Sequence, residues 1–162
     1  MATYESIRPT IKSGDILAWS HRPWKTLYDM QIQVVRIATR SEYCHVGVAW
    51  VISGRVFVIE AVTPKVRIYP LSKLLPFYFI PVTGNWSDES EEFALAQVGC
   101  EYSKIEAIKS FFGVPDYNEL WQCAELLAVV SKLNSINLGM KYTPSAIVDQ
   151  ALRYSNGLQL VE

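Results

Sequence analysis

The hydrophobic pattern changes character partway along the chain. Up to about residue 82 the apolar residues fall in short β-branched and aromatic runs bounded by glycine, proline and serine, and from Ser87 onward they recur at helical spacing. Gly14-Asp-Ile-Leu-Ala-Trp19 reads as a short strand entered through a glycine turn, and Arg22-Pro23 breaks it. Between Trp24 and Ala38 the apolar positions Leu27, Met30, Ile32, Val34, Val35 and Ile37 fit a buried helix better than an alternating strand. From Tyr43 to Val62 two β-branched runs flank Ser53-Gly54, the strongest hairpin signal in the chain. Two further strands are expected near Lys65 to Tyr69 and Tyr78 to Val82, each bounded by prolines.

In the helical half, Ser87 is the expected N-cap of a first helix, with Asp88, Glu89, Glu91 and Glu92 crowding its first turn and Gly99 as its stop. A second helix is expected from about Ser103 to Phe112, ended by Gly113 and Pro115, and a third contains Cys123 and runs to about Leu133. A fourth starts behind Tyr142, with Thr143 as N-cap and Pro144 in the first turn. Strands first and helices later is the α+β signature. No repeat, low-complexity stretch or linker divides the 162 residues, so residues 1–162 are expected to form a single domain with a continuous core.

Composition narrows the partners. Half the residues are hydrophobic and 19% are charged, which excludes wholesale disorder. A net charge of -1 and the lack of any basic run argue against nucleic acid. No window approaches the roughly 18 apolar residues of a membrane span. The first residues, Met-Ala-Thr-Tyr-Glu-Ser-Ile-Arg-Pro, do not read as a secretory signal, so the expected location is cytoplasmic. Three cysteines, Cys44, Cys100 and Cys123, include no Cys-x-x-Cys pair and suggest no disulfide framework. With His21, His45 and Cys44 as the candidates in the first third, neither a metal nor another cofactor is expected.

Three residues carry the candidate chemistry. Cys123 opens an apolar run behind Gly-Val-Pro-Asp-Tyr-Asn-Glu-Leu, a loop-like stretch, which places it in the first turn or two of its helix, where the dipole and free N–H groups favour a thiolate. A small buried hydrophobe is the plain alternative, and Asp116 with Glu119 has capping-box spacing that would start the helix earlier and bury Cys123 deeper in it. Glu60 lies inside Val56-Phe-Val-Ile-Glu-Ala-Val, so it is either on a solvated face or bonded to a partner such as imidazole. His45, beside Gly47, could equally be an ordinary strand histidine.

The hairpin makes a geometric demand on this set. With a two-residue loop at Ser53-Gly54, Ile52 opposes Arg55, His45 faces Val62 and Glu60 faces Gly47. His45 and Glu60 are then diagonal neighbours on one face, roughly 7–8 Å apart at Cα. A three-residue loop would put them on opposite faces. His21 reads as an exposed loop residue, Cys44 as pointing away from His45 and Cys100 as structural, whereas Asp15, Ser41, Tyr43 and Tyr102 could border a site.

Six segments in order, Gly14-Asp-Ile-Leu, Ala38-Thr-Arg-Ser-Glu-Tyr-Cys-His-Val-Gly-Val, Val58-Ile-Glu-Ala, Gly99-Cys-Glu-Tyr-Ser, Cys123-Ala-Glu-Leu-Leu and Tyr142-Thr-Pro-Ser, resemble the circularly permuted NlpC-type papain-like hydrolases. The YiiX/YebB group is the nearest in pattern, and the lecithin:retinol acyltransferase-like proteins are relatives. The resemblance spans roughly residues 12 to 152. It implies a small antiparallel sheet or partial barrel packed against helices, with the nucleophile's helix moved behind the sheet. It also implies Cys123 as nucleophile, His45 as general base and Glu60 as the residue that orients the imidazole. Cys44 stands where many relatives have serine, and Gln122 where an acidic or apolar residue is common.

Three functions are consistent with this reading. The first is a thiol hydrolase cleaving a peptide or cell-wall-type (peptidoglycan-type) amide. The second is an acyltransferase or lipid-ester hydrolase using the same triad, which an apolar groove lined by Trp24, Trp50 or Trp121 would favour. The third is a silent binding module that keeps the fold.

Overall fold

The computed structural model describes residues 2–20, 42–102, 122–139 and 143–162. The expected helices at Trp24–Ala38 and Ser103–Phe112 lie outside the described residues, as do His21, Ser41, Trp121 and Tyr142. A short helix α1 (Tyr4–Ile7) precedes strands β1 (Ile16–Trp19), β2 (His45–Ile52), β3 (Arg55–Ala61), β4 (Val66–Pro70) and β5 (Phe77–Ile80). Helices α2 (Asp88–Ala96), α3 (Cys123–Leu133) and α4 (Pro144–Ala151) follow, and β6 (Gln159–Val161) ends the chain. The α+β class expected from the sequence is the one observed.

The strands form one six-stranded antiparallel sheet in the order β4-β3-β2-β1-β5-β6. It is open, with β4 and β6 as separate edges, and not the partial barrel that was the alternative. Neither α1 nor β6 is expected from the sequence pattern, because both are short elements held by distant partners: Ala2 bridges Val161, and Tyr4 donates its backbone N–H to the Glu162 carbonyl at 2.8 Å.

The β2–β3 hairpin has the register that a two-residue loop dictates, running from Ile52↔Arg55 to Val48↔Ile59. Both loop residues are left-handed, Ser53 at φ 50 and Gly54 at φ 72, the pairing that a tight twisted hairpin requires. Gly47 is needed for a different reason. A Cβ there would stand 2.6 Å from Val58 Cγ2 and 3.3 Å from Glu60 Cβ, so its absence lets the two strands' side chains close over one another.

Both faces of the sheet are covered, which explains why all four residues of β1 are buried instead of alternating. On one face Ile16, Ala18, Val46, Val48 and Ile59 pack with Leu126, Leu127 and Val130 of α3 and Ile147 of α4. Burying a leucine such as Leu126 contributes roughly 1.5–3 kcal/mol. On the other face Leu17, Trp19, Val58, Phe77 and Phe79 pack with Tyr4 and Leu71.

The helix starts follow the cap signals. Ser87 Oγ accepts from the Ser90 N–H at 3.1 Å, and Thr143 Oγ1 accepts from the Ala146 N–H at 3.3 Å with Pro144 in the first turn. Asn134, just past α3, accepts from the Ser87 N–H at 3.1 Å and the Ser90 hydroxyl at 2.8 Å, tying the start of α2 to the end of α3. Among the described residues no helix is long and apolar enough to cross a membrane.

Candidate active site

The site is assembled from three elements. His45 is the first residue of β2, Glu60 lies near the end of β3, and Cys123 is the first residue of α3. Directly across from His45 on β1 stands Trp19, and across from Glu60 on β4 stands Arg67. His45 and Glu60 therefore share the sheet face of Trp19 and Val58, while Cys123 comes from the helix layer. They meet at the start of β2.

Glu60 is 1% exposed and fully engaged. Its Oε2 lies 2.7 Å from His45 Nε2, and its Oε1 accepts from Arg67 Nε at 2.8 Å and from the Arg67 terminal nitrogen Nη2 at 2.6 Å. Burial raises the carboxyl pKa, but the hydrogen bond and charge of His45, followed by those of Arg67, outweigh it and hold the group at about 2. Glu60 is an anion at any physiological pH.

The His45 side chain also hydrogen-bonds Cys123. Because Nε2 is committed to Glu60, Nδ1 is the ring nitrogen left for the thiol. Burial alone would pull the imidazole down, yet its bonds to Cys123 and Glu60 push it up to about 9. For Cys123 the sign is reversed. Burial raises the thiol, whereas the bond to His45, its positive charge, and the backbone N–H groups of Val46 and Ala124 lower it below the ordinary thiol value. The directions agree: this pair favours thiolate and imidazolium.

The helix contributes to the same end. Gln122 is extended at φ -107 and ψ 157, so α3 begins at Cys123 and the earlier start suggested by Asp116 and Glu119, which lie outside the described residues, does not carry through. The sulfur thus sits at the positive end of the helix, among N–H groups that have no partner within it.

Two residues of the site were not anticipated. The Trp19 ring lies 5.3 Å from the His45 ring at an interplanar angle of 36°, and its indole N–H is anchored on the Leu74 carbonyl at 2.8 Å. It walls the imidazole on one side. Arg67 stacks over Tyr69 at 4.5 Å while it reaches Glu60. A signal for it existed, since a buried carboxylate has more lone pairs than one imidazole can satisfy, and a strand arginine was at hand.

Other candidates lie apart from this chemistry. Asp15 is a staple: its carboxylate accepts from the Lys12 N–H at 2.7 Å and the Val82 N–H at 3.0 Å. Cys44 directs its thiol to the Trp19 carbonyl at 3.2 Å, and Tyr102 donates its backbone N–H to Pro64 at 2.8 Å. The Cys100 carbonyl accepts the Val66 N–H at 2.9 Å, a structural role. Tyr43 packs edge-on to Tyr78 at 5.3 Å, and burial with Glu42 nearby pushes its phenol up to about 12. Trp50 is five residues along β2 from His45, about 17 Å at the rise of a strand, and its indole N–H faces Glu91 Oε2 at 3.1 Å. It does not line a groove at the thiol. Trp24 and Trp121 lie outside the described residues.

Neither a family model nor a curated protein matches the chain. Solved structures share its fold, among them the metalloprotein YiiX of Escherichia coli O157:H7, with a TM-score of 0.61, 17% identity, and coverage of 93% of this chain and 96% of that one. The likeness is one of fold. Among the described residues of this chain no group of three or more His, Cys, Asp or Glu side chains is placed to hold a metal ion.

Proposed function

We propose that the protein is a thiol hydrolase that cleaves an amide bond, of a peptide or a cell-wall-type peptide, through Cys123, His45 and Glu60. The observation that carries this reading is the hydrogen-bonded chain from Glu60 through His45 to a thiol at the first residue of a helix. In the first half-reaction the Cys123 thiolate attacks the carbonyl carbon, forming a C–S bond. The His45 Nδ1 proton passes to the departing amine as the C–N bond breaks. In the second, water attacks the thioester carbon, gives a proton back to His45, and the C–S bond breaks to restore the thiolate. Backbone N–H groups at the start of α3 stabilise the oxyanion in both steps. Glu60 keeps Nε2 protonated and the ring turned toward the sulfur. In this reading the fold is a papain-like core permuted so that the nucleophile's helix follows the sheet.

The test is hydrolysis of a panel of peptide, muropeptide and phospholipid substrates by the protein and by Cys123→Ala. The reading expects amide cleavage that vanishes in Cys123→Ala while the circular dichroism spectrum stays unchanged. Amide cleavage that survives the substitution overturns it. A fatty-acyl adduct on Cys123 after a single turnover with phospholipid, without amide cleavage, moves the assignment to acyl transfer or lipid-ester hydrolysis by the same thiol.

A further inference from the structure

We propose that Arg67 is a positioning residue of the same site, fixing Glu60 so that one carboxylate oxygen is reserved for His45. This rests on the reading of Cys123 as the nucleophile. Arg67 Nε and Nη2 both converge on Oε1, at 2.8 and 2.6 Å, which leaves Oε2 for His45 Nε2 at 2.7 Å. A carboxylate pinned in this way cannot swing to offer both oxygens to the imidazole or turn away from it. Its orientation is set on the side remote from the thiol.

The groups that face Glu60 among the described residues are His45 from β2 and Arg67 from β4, with Cys123 of α3 reaching it only through His45. Arg67 is therefore the positive charge at Glu60 that the proposed reaction does not itself move. When the pH falls far enough to protonate Glu60, the imidazolium loses its counter-ion and the thiolate its support. Arg67 delays that event. Its side chain is 39% exposed, so solvent screens part of its charge, and the effect belongs at the low end of the roughly 1–3 pH units that a neighbouring opposite charge produces.

The experiment needs no substrate. The rate of carboxamidomethylation of Cys123 by iodoacetamide, followed by mass spectrometry of its peptide, is measured against pH for the wild type, Arg67→Gln and Arg67→Lys. The wild type is expected to react down to below the ordinary thiol range, and Arg67→Gln to shift that acid midpoint upward by a part of the roughly 1 pH unit that loss of the guanidinium produces at Glu60 itself. Arg67→Lys, which keeps the charge but loses the fork, is expected to fall between the two. A brace of purely structural kind would lower the melting temperature and leave the midpoint in place. An unchanged midpoint in a folded Arg67→Gln overturns the proposal. Should Arg67→Gln not fold, an unchanged midpoint in Arg67→Lys does so instead, and an upward one supports it. A wild-type midpoint in the ordinary thiol range would overturn the nucleophile reading itself, which keeps the two failures distinct.

Discussion

Asp15 and Glu60 are both buried carboxylates, 4% and 1% exposed, and their pKa values are pushed in opposite directions. Asp15 is satisfied by two backbone N–H groups, and burial still raises its pKa above the ordinary value. Glu60 is satisfied by an imidazole and a guanidinium, and those partners outweigh burial and hold it at about 2. Burial is nearly the same, so the partners decide. Neutral amides complete a carboxylate's hydrogen bonds and tie a loop to a strand. Cations make it a fixed charge that a neighbouring base can use.

The comparison predicts a separation of function from stability. Removing the proposed base, in His45→Ala, is expected to lower kcat/KM for the proposed amide hydrolysis by about 10²–10⁴-fold, the usual worth of general acid–base catalysis. Asp15→Asn should leave kcat/KM within about two-fold, because its contacts lead to the backbone and not to the thiol. Comparable losses in the two variants would break the distinction.

Stability should be less discriminating. Glu60→Ala leaves His45 buried without its partner and is expected to cost about 3 kcal/mol in urea unfolding. Asp15→Ala leaves the Lys12 and Val82 N–H groups without an acceptor and should cost about 1–3 kcal/mol. A Glu60→Ala protein as stable as wild type would mean that its network is not closed in solution.

The smallest effects separate the two by sign. Glu60 has its pKa depressed from 4.5 to about 2, so its contribution is present above the upper value and is lost as the pH falls toward the lower one. Asp15 has its pKa raised, so its ionised form opposes folding, and protonation in acid relieves that cost. Urea titrations from pH 5 to pH 2 should therefore show a shallower acid loss for Glu60→Gln than for wild type, and a steeper one for Asp15→Asn. The opposite ordering would contradict the assignment of partners. On the alkaline side, His45 is raised from 6.5 to about 9, so its contribution is complete below the lower value and fades as the pH rises through the upper one.

How far the site could be read from sequence follows the range of its interactions. The His45–Glu60 pairing was legible because a two-residue turn at Ser53-Gly54 fixes every residue behind it. The caps at Ser87 and Thr143 were legible because a helix start is decided within four residues. Arg67 was legible only as the need of Glu60 for a second partner, because the connection from β3 to β4 passes through Pro64 and carries no turn that sets a register, so nothing local places Arg67 opposite Glu60. Trp19 was missed for the same reason, since the neighbours of β1 are set by sheet order and not by a hairpin. β6 is three residues long and finds its partner on β5 from the far end of the chain, a pairing with no local signature. The start of α3 at Cys123 was one of two readings. The extended Gln122 distinguishes them.

The ionisation of Cys123 decides whether the pair with His45 exists, and thiolate absorbance in the ultraviolet measures it directly. In wild type the Cys123 thiolate is expected to form well below the ordinary thiol range, because His45 outweighs the effect of burial. In His45→Ala, with burial left and its principal opponent removed, the same thiol should titrate much higher, near or above the ordinary value. A wild-type Cys123 that ionises in or above the ordinary range, or one whose titration His45→Ala leaves unchanged, would contradict the thiolate–imidazolium pair.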